Sequence, residues 1–488
     1  MLLKNLLKDI QYTVLQGDVE NINIENVYSD SRIELKDSLF VCIKGSNTDG
    51  HNFINDVKTA KVIVVEENIL PNNKEQVVLK VEDSRKTLAF LVSNLNHNIE
   101  NKFKFIGVTG TNGKTSITLI IQSILKYVGE KCAVIGTIEN QIDDEIIPIK
   151  TTTVTTPDIN EIYKMLNYID EHNVKTIVME ATAHALSLNR IEKFKFEVGV
   201  FTNLTPDHLD FYKTMDNYKE AKFKLFKQSK YAVLNIDDPV GKEYYDRLKE
   251  NKFSYSTKDK NADLYATNIV LNPNGSYFDL YYKGKEYKNC FINLVGMFSI
   301  YNVLAGIGAT LLYGIEIKQI LEAIKDIKRI NGRCEIIKTN KDFNAVIDYA
   351  HSEDSLEKIL KTVRDFTKGR IICLFGLGGG HRYKEKRPVM GKLATKLADF
   401  TIITDDNPRD NDPEEISRDI ERDIKELRDI KYTVIHDREK AIEYAVNMAK
   451  TGDTIVCCGK GHETYQEYEN GRRVHLSEHE ILTRLMND

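Results

Sequence analysis

The pattern of apolar and polar positions changes period repeatedly along this chain. The opening stretch, MLLKNLLKDIQYTV, carries leucines on one side of a helical wheel, with Lys4, Lys8 and Asp9 on the other. It predicts an amphipathic first helix, and it lacks the continuous apolar core of a secretory signal. Short β-branched runs follow at Leu39–Ile43, Lys61–Glu66 and Gln76–Val81, and a helical pattern begins at Ser84. Next comes KFKFIGVTG, an apolar run closed by glycine, with helical spacing from Lys114 to about Val128. That order is strand, loop, helix. VKTIVMEA, VGVFTNLT, a helical stretch from Met215 to about Gln228 and YAVLNID continue the alternation, which predicts a parallel-sheet domain. From about residue 331, NAVIDYA, RIICLFGLGGG, FTIITDD, YTVIHD and DTIVCCGKG read as strands separated by helices, a second doubly wound domain.

The expected architecture is therefore α/β in three parts. These are a small N-terminal α/β domain over 1–100, a central ATPase-like parallel-sheet domain over 101–330, and a Rossmann-like domain over 331–488. A chain of 488 residues suits about three domains. With 41% hydrophobic and 29% charged residues, it has ample material for a buried core. A net charge of −5 gives no overall basic excess to neutralise nucleic-acid phosphates, and no apolar run reaches the length of a membrane span. The seven cysteines are scattered without a CxxC pair, which reads as reduced, buried thiols of a cytoplasmic protein.

The candidate chemistry sits at predicted strand ends. Gly110, Thr111, Asn112, Gly113, Lys114 and Thr115 lie between a strand and a helix, where backbone N–H groups favour phosphate. Lys114 would reach the β- and γ-phosphates of ATP, and Thr115 would bind Mg²⁺. Val108 stands where the full Walker pattern has its first glycine. Glu180 closes another strand and can hold Mg²⁺. Alone, His184 reads as structural and Lys222, in NYKEAKFKLF, as a solvated lysine, although its neighbours Ala221, Phe223, Leu225 and Phe226 make a partly buried position plausible. Asn203, Asp207, His208 and Asp210 could complete a metal site or simply cap a helix. In the last third, Asp348, Arg382, Arg387, Asp406, Asn407, Arg409, Gly459, Lys460, His462 and Glu463 crowd into loops at strand ends. Arginines mixed with acids suit a ligand that carries both carboxylate and ammonium groups.

Taken in order, TGTNGKT, ME-x-x-x-H, TNL-x-x-DHLD, Y-x-x-AK-x-x-LF, N-x-x-A at Asn302 to Ala305, NGR-x-E, DYAH and DNPR resemble the Mur ligases of peptidoglycan synthesis. The resemblance covers nearly the whole chain. It includes YSDSR and GSNTDGH, which look like that family's uridine-nucleotide-binding segments. It implies ATP and Mg²⁺ as cofactors, and as substrates a UDP-muramoyl-peptide and a free diamino acid. The protein would then be a cytoplasmic monomer without nucleic-acid or membrane partners.

The resemblance also implies roles for individual residues. Lys114, Glu180, His208 and Lys222 would be catalytic. Thr115, Glu180, His208 and Lys222 would bind metal, with Lys222 as a carbamate, which turns a cation into a carboxylate-like ligand. Asn302, Arg333 and Asp348 would contact the nucleotide. Ser31, Arg32, Thr155, Thr156, Thr182 and Arg190 would contact the muramoyl-peptide. Arg382, Asp406, Asn407, Arg409, Gly459 and Glu463 would take the incoming amino acid. The DNPR form is similar to members adding meso-diaminopimelate, whose distal carboxylate Arg409 would hold; a site with an unpaired Arg should reject lysine.

Departures from the family pattern occur at Ala181-Thr182-Ala183, Leu188, Ser299 and His381. They leave open a lysine- or other diamino-acid-adding paralogue. A folylpolyglutamate-synthase-like or dipeptide-adding ligase is the alternative enzyme, and a non-catalytic nucleotide-dependent binding protein the alternative of another class. The expected reaction runs through an acyl-phosphate, with domain closure excluding water.

Overall fold

The computed structural model describes all residues except 34, 46–47, 154, 328–329, 338, 381–383, 429 and 488. The chain forms two compact units. One comprises Met1–Gly110, Gly129–Val200 and Asp216–Ala232; the other comprises Thr111–Val128, Phe201–Met215 and Val233–Asp488.

In the first unit, a five-stranded sheet has the order Thr13–Gln16, Val77–Lys80, Ala60–Val65, Ser38–Val41, Asn26–Tyr28. Only the first pairing is antiparallel. The helix Ser84–Leu95 is capped by Asp83, whose side chain accepts from the Lys86 N–H. The expected long first helix is shorter than its pattern: it stops at Leu6, Asp9 takes a φ of 63°, and Thr13–Gln16 joins the sheet. Leucine spacing persists through the segment, but the β-branched Thr13 and Val14 fit a sheet edge better than a helix. A second set of strands runs in the order Phe196–Phe201, Lys104–Thr109, Thr176–Glu180, Cys132–Ile135. Thr176–Glu180 pairs in parallel with both of its neighbours, which places Glu180 opposite Val108.

In the second unit, the helix Lys114–Tyr127 and the apolar helix Met297–Tyr313 pack together. Three strands absent from the sequence expectation, Leu264–Asn272, Gly275–Tyr282 and Lys285–Ile292, form an antiparallel meander. Lys283 and Gly284 make its second turn with φ of 48° and 71°, the two-positive signature of a tight hairpin.

The remaining sheet has the order Glu335–Ile337, Asn344–Asp348, Thr454–Cys458, Ile371–Phe375, Phe400–Ile403, Tyr432–Val434, parallel except at its first pair. The register sets Asp348 and Phe375 on either side of Cys458, and Ile403 beside Phe375. The loops after these four strands therefore leave one edge of the sheet side by side, the place where open parallel sheets bind ligands. All seven cysteines are buried and free of disulfides. No helix among the described residues is long and apolar enough to cross a membrane.

A buried ion pair braces that edge from behind. Arg438 and Glu478 are both fully buried and 2.7 Å apart. The Arg438 guanidinium also donates to the carbonyls of Asp405 (3.0 Å) and Cys458 (2.8 Å), the residues just before Asp406 and Gly459. Removing one partner leaves an uncompensated charge in the core. Arg438→Met is thus expected to destabilise this domain by about 3–5 kcal/mol, read as a lower midpoint in urea unfolding.

Candidate functional site

The phosphate-loop segment opens its helix with Gly113 at a φ of 90°, where an added Cβ would lie 2.6 Å from the Asn302 side-chain oxygen. Only glycine fits both the left-handed backbone and the close approach of buried Asn302. The loop is braced from the following strand: Asn203 accepts from the Thr111 and Asn112 N–H groups through its carbonyl and side-chain oxygens, at 2.9 and 3.0 Å. Thr202 Oγ1 donates to the Asn112 carbonyl at 2.6 Å. Lys114 folds back onto the Thr111 carbonyl at 2.9 Å. Arg333 donates to the Thr115 hydroxyl at 3.3 Å and lies over the Tyr349 ring, 4.6 Å from its centroid. Asp348 accepts from the Cys334 and Ala350 N–H groups, and its enclosure by protein pushes its carboxyl up despite the nearby Arg333.

Lys222 corrects its isolated reading as a solvated lysine. Its side chain is buried, its Nζ donates to the Gly110 carbonyl at 2.8 Å, and it sits 4.4 Å from the Tyr218 ring centroid. Residues Ala221, Phe223, Leu225 and Phe226 on the same helix carry it into the core. His208 has a φ of 54° and lies 3.3 Å from Asp207, which also pairs with Lys386 at 2.9 Å. Asp210 falls in the short helix Leu209–Tyr212, and His184 in the helix Ala183–Ser187.

Around Glu180 the first unit gathers a threonine cluster. Glu180 is buried and accepts from the Thr137 N–H (2.7 Å) and hydroxyl (3.1 Å). The Thr137 hydroxyl reaches Thr155 at 3.1 Å, and the Thr156 hydroxyl donates to the Glu180 carbonyl at 2.7 Å. Thr156 and Thr182 hydroxyls lie 2.9 Å apart, and Arg190 donates to the Thr156 carbonyl at 3.0 Å. Thr155, Thr156, Thr182 and Arg190 are thus brought together. Ser31 and Arg32 occupy a surface turn of the N-terminal sheet, where the Arg32 guanidinium binds Asp30. Thr137 escaped sequence reasoning, since a threonine after a strand carries no signal of its own.

At the edge of the C-terminal sheet, Asp406, Asn407, Arg409, Gly459 and Glu463 line one cavity with Tyr349, His351 and the Gly376–Gly378 turn. Gly459 has a φ of 110°, and a Cβ there would come within 2.7 Å of the Asp406 carboxylate. Arg382 lies outside the described residues, whereas Arg387 is buried and pairs with Asp419 at 2.9 Å. Arg409 takes a φ of 54°, anchors its N–H on the Glu467 carbonyl and sets its guanidinium 3.4 Å from the Glu467 carboxylate. Tyr349 and His351 were noticed in the sequence only as part of DYAH and were given no role of their own.

Residues 108–310 match the Mur ligase middle domain and 332–461 the Mur ligase glutamate ligase domain. Over the whole of both chains, the protein is 42% identical to UDP-N-acetylmuramoyl-L-alanyl-D-glutamate--2,6-diaminopimelate ligase 1 of Clostridium acetobutylicum. It is 40% identical to the enzyme of the same name, without the number, from Clostridium tetani, again over full length. The chain belongs to the Mur ligase family. A solved structure of a UDP-N-acetylmuramoyl-L-alanyl-D-glutamate--2,6-diaminopimelate ligase superposes with a TM-score of 0.70 at 26% identity, over 100% of this chain and 98% of that one. The MurF ligase of Thermotoga maritima in complex with ADP shares the fold, with a TM-score of 0.60 at 19% identity over 91% of this chain and 95% of its own. The N-terminal, central and C-terminal parts are those of a Mur ligase fold, and the protein is a ligase of that family.

One half-buried histidine in this Mur ligase gives a pH signature. Burial pushes the His462 imidazole down to about 4, helped by the Arg333 charge. Its Nδ1 has no hydrogen-bond partner among the described residues. A depressed histidine favours the native state above its unfolded value of 6.5, and that contribution is lost as pH falls from there through about 4. The loss should be on the order of 3 kcal/mol, and His462→Phe should flatten the stability-versus-pH curve in that window.

Proposed function

We propose that this Mur ligase joins meso-diaminopimelate to the D-glutamate γ-carboxylate of UDP-N-acetylmuramoyl-L-alanyl-D-glutamate, with ATP split to ADP and phosphate. The observation that carries this reading is the C-terminal cavity, whose lining includes Asp406, Glu463 and Arg409. Two acids and an arginine match a substrate bearing ammonium groups and a distal carboxylate. The full-length relatives named for this reaction support it.

In this mechanism the γ-carboxylate attacks the γ-phosphorus of ATP, the bond to the β-phosphate oxygen breaks, and ADP leaves. Lys114 and the loop N–H groups stabilise the charge that develops on the transferring phosphoryl group. The acyl-phosphate carbonyl is then attacked by the neutral amine, and phosphate departs as the amide forms. Asn302, Arg333 and Asp348 are assigned to the nucleotide. Ser31, Arg32, Thr155, Thr156, Thr182 and Arg190 are assigned to the muramoyl-peptide. Asp406, Asn407, Arg409, Gly459 and Glu463, with Arg382, take the amino acid.

Thr115, Glu180, His208 and carbamylated Lys222 are assigned to Mg²⁺. The donor types fit: a hydroxyl, a carboxylate and a carbamate offer oxygen and the imidazole one nitrogen, which suits a hard divalent cation. Bound there, Mg²⁺ would neutralise phosphate charge. Domain boundaries near residues 100 and 330, a cytoplasmic location and a monomeric state complete the reading.

The test is isotopic. With ¹⁸O in the substrate γ-carboxylate, one label should appear in the released phosphate for each amide formed. Label-free phosphate alongside amide would overturn the acyl-phosphate route.

A further inference from the structure

A lysine with no exposed side-chain surface bonds to two residues that line the cavity. Lys460 follows Gly459, its side chain is 0% exposed, and its Nζ lies 2.6 Å from Glu463 Oε2 and 2.8 Å from Asn407 Oδ1. The Asn407 amide closes the triangle by donating to the same Glu463 oxygen at 3.0 Å. Asn407 Oδ1 also accepts the Glu467 N–H at 2.9 Å, so its amide can point only one way. Glu463 Oε2 thus receives two donors. Oε1 lies 3.5 Å from the Tyr349 hydroxyl, and both residues line the cavity. Burial alone would push Glu463 up, yet Lys460 and the Asn407 bond hold it below the usual carboxylate range.

We infer that Lys460 is a positioning residue for the incoming amino acid: it ties the Asn407 loop to the Glu463 loop and presents one oxygen of an ionised Glu463 to the substrate ammonium. A lysine that served only to neutralise Glu463 would have no need of Asn407. This one joins two loops that leave different strands, and both loops supply cavity walls. The charge balance has a consequence for selectivity. The lining carries Asp406, Glu463 and Arg409; Lys460, bonded to Glu463, brings these four charges to zero, which suits a zwitterion and disfavours a ligand of net charge.

The inference rests on the diamino-acid reading of the cavity. Its test is a double-mutant cycle on the full chain with meso-diaminopimelate as the amine, measuring KM for all three substrates and kcat. Lys460→Met should raise KM for the amine at least about thirtyfold, as removing one member of a buried charge pair does, while KM for ATP and the UDP-substrate stays within about twofold. Glu463→Gln should produce a similar rise. The double variant Lys460→Met/Glu463→Gln should be no worse than Glu463→Gln alone, because Lys460 acts through that carboxylate. Lys460→Gln, which can still bond Asn407, should recover part of the loss and covers the case in which the methionine variant fails to fold. Additive effects in the cycle, or a rise shared by all three KM values, would overturn the inference and leave the function standing. An inactive wild-type chain with every diamino acid would overturn both.

Discussion

Lys114→Met is expected to lower kcat for amide formation by about a hundredfold to a thousandfold, the usual effect of removing one preorganised donor from a developing charge. The lysine starts the helix Lys114–Tyr127 behind a glycine at positive φ, and it rests on the Thr111 carbonyl at 2.9 Å. Occupied by ATP, it would exchange that carbonyl for phosphate oxygens. Methionine keeps the length and helix propensity but carries no charge, so the fold should survive. Circular dichroism and the urea midpoint check the fold, and kcat for ADP release at saturating substrates checks the chemistry. A kcat within about threefold of wild type would remove Lys114 from the mechanism.

Arg409→Ala is the second large effect. It should cut kcat/KM for meso-diaminopimelate by about a hundredfold or more, since the distal carboxylate would be left without its cation. The same substitution should change the much lower kcat/KM for L-lysine by less than about threefold, so the ratio between the two amines collapses. Arg409→Lys should rescue poorly, because an ammonium cannot reproduce the guanidinium's two-pronged grip. The backbone is shaped for this role. A non-glycine residue at a φ of 54°, anchored on the Glu467 carbonyl, aims its side chain at a cost that surrounding contacts must offset. If lysine and diaminopimelate lose equally, Arg409 acts on the loop and not on the distal carboxylate.

What could be read from the sequence followed the strength of each local signal. The strand–loop–helix from Lys104 to Tyr127 combines a β-branched run, two glycines and helical spacing, and the structure reproduces it almost to the residue. The four strands feeding the C-terminal cavity were equally plain, because parallel strands buried on both faces are short apolar runs. The antiparallel meander from Leu264 to Ile292 was not legible. Its strands mix tyrosine, lysine and asparagine on half-exposed faces, so neither alternation nor a continuous apolar run stands out. The first helix was read too long because leucine spacing cannot report the positive φ at Asp9.

Charged residues were the hardest to place. Lys222 taken alone reads as solvated, Lys460 was only one residue of a polar loop, and Arg438 drew no notice, yet each is buried. Their burial depends on partners supplied by the fold: Gly110 for Lys222, Asn407 for Lys460 and Glu478 for Arg438. Separations of 112, 53 and 40 residues lie far beyond any local pattern. Among the amino-acid residues, Asp406, Asn407 and Arg409 were visible because they share one loop. Tyr349 was seen only as part of DYAH, because its part is to link Arg333 to Glu463.

The most direct test offers meso-diaminopimelate, L-lysine, L-ornithine and lanthionine in separate reactions with ATP, Mg²⁺ and UDP-N-acetylmuramoyl-L-alanyl-D-glutamate, and reads phosphate release together with product mass. The predicted result is one phosphate per amide with meso-diaminopimelate, and turnover with L-lysine lower by at least about a hundredfold. Preferred turnover of lysine or ornithine would contradict the assignment of Arg409, and no amide with any of the four would contradict the acceptor substrate itself.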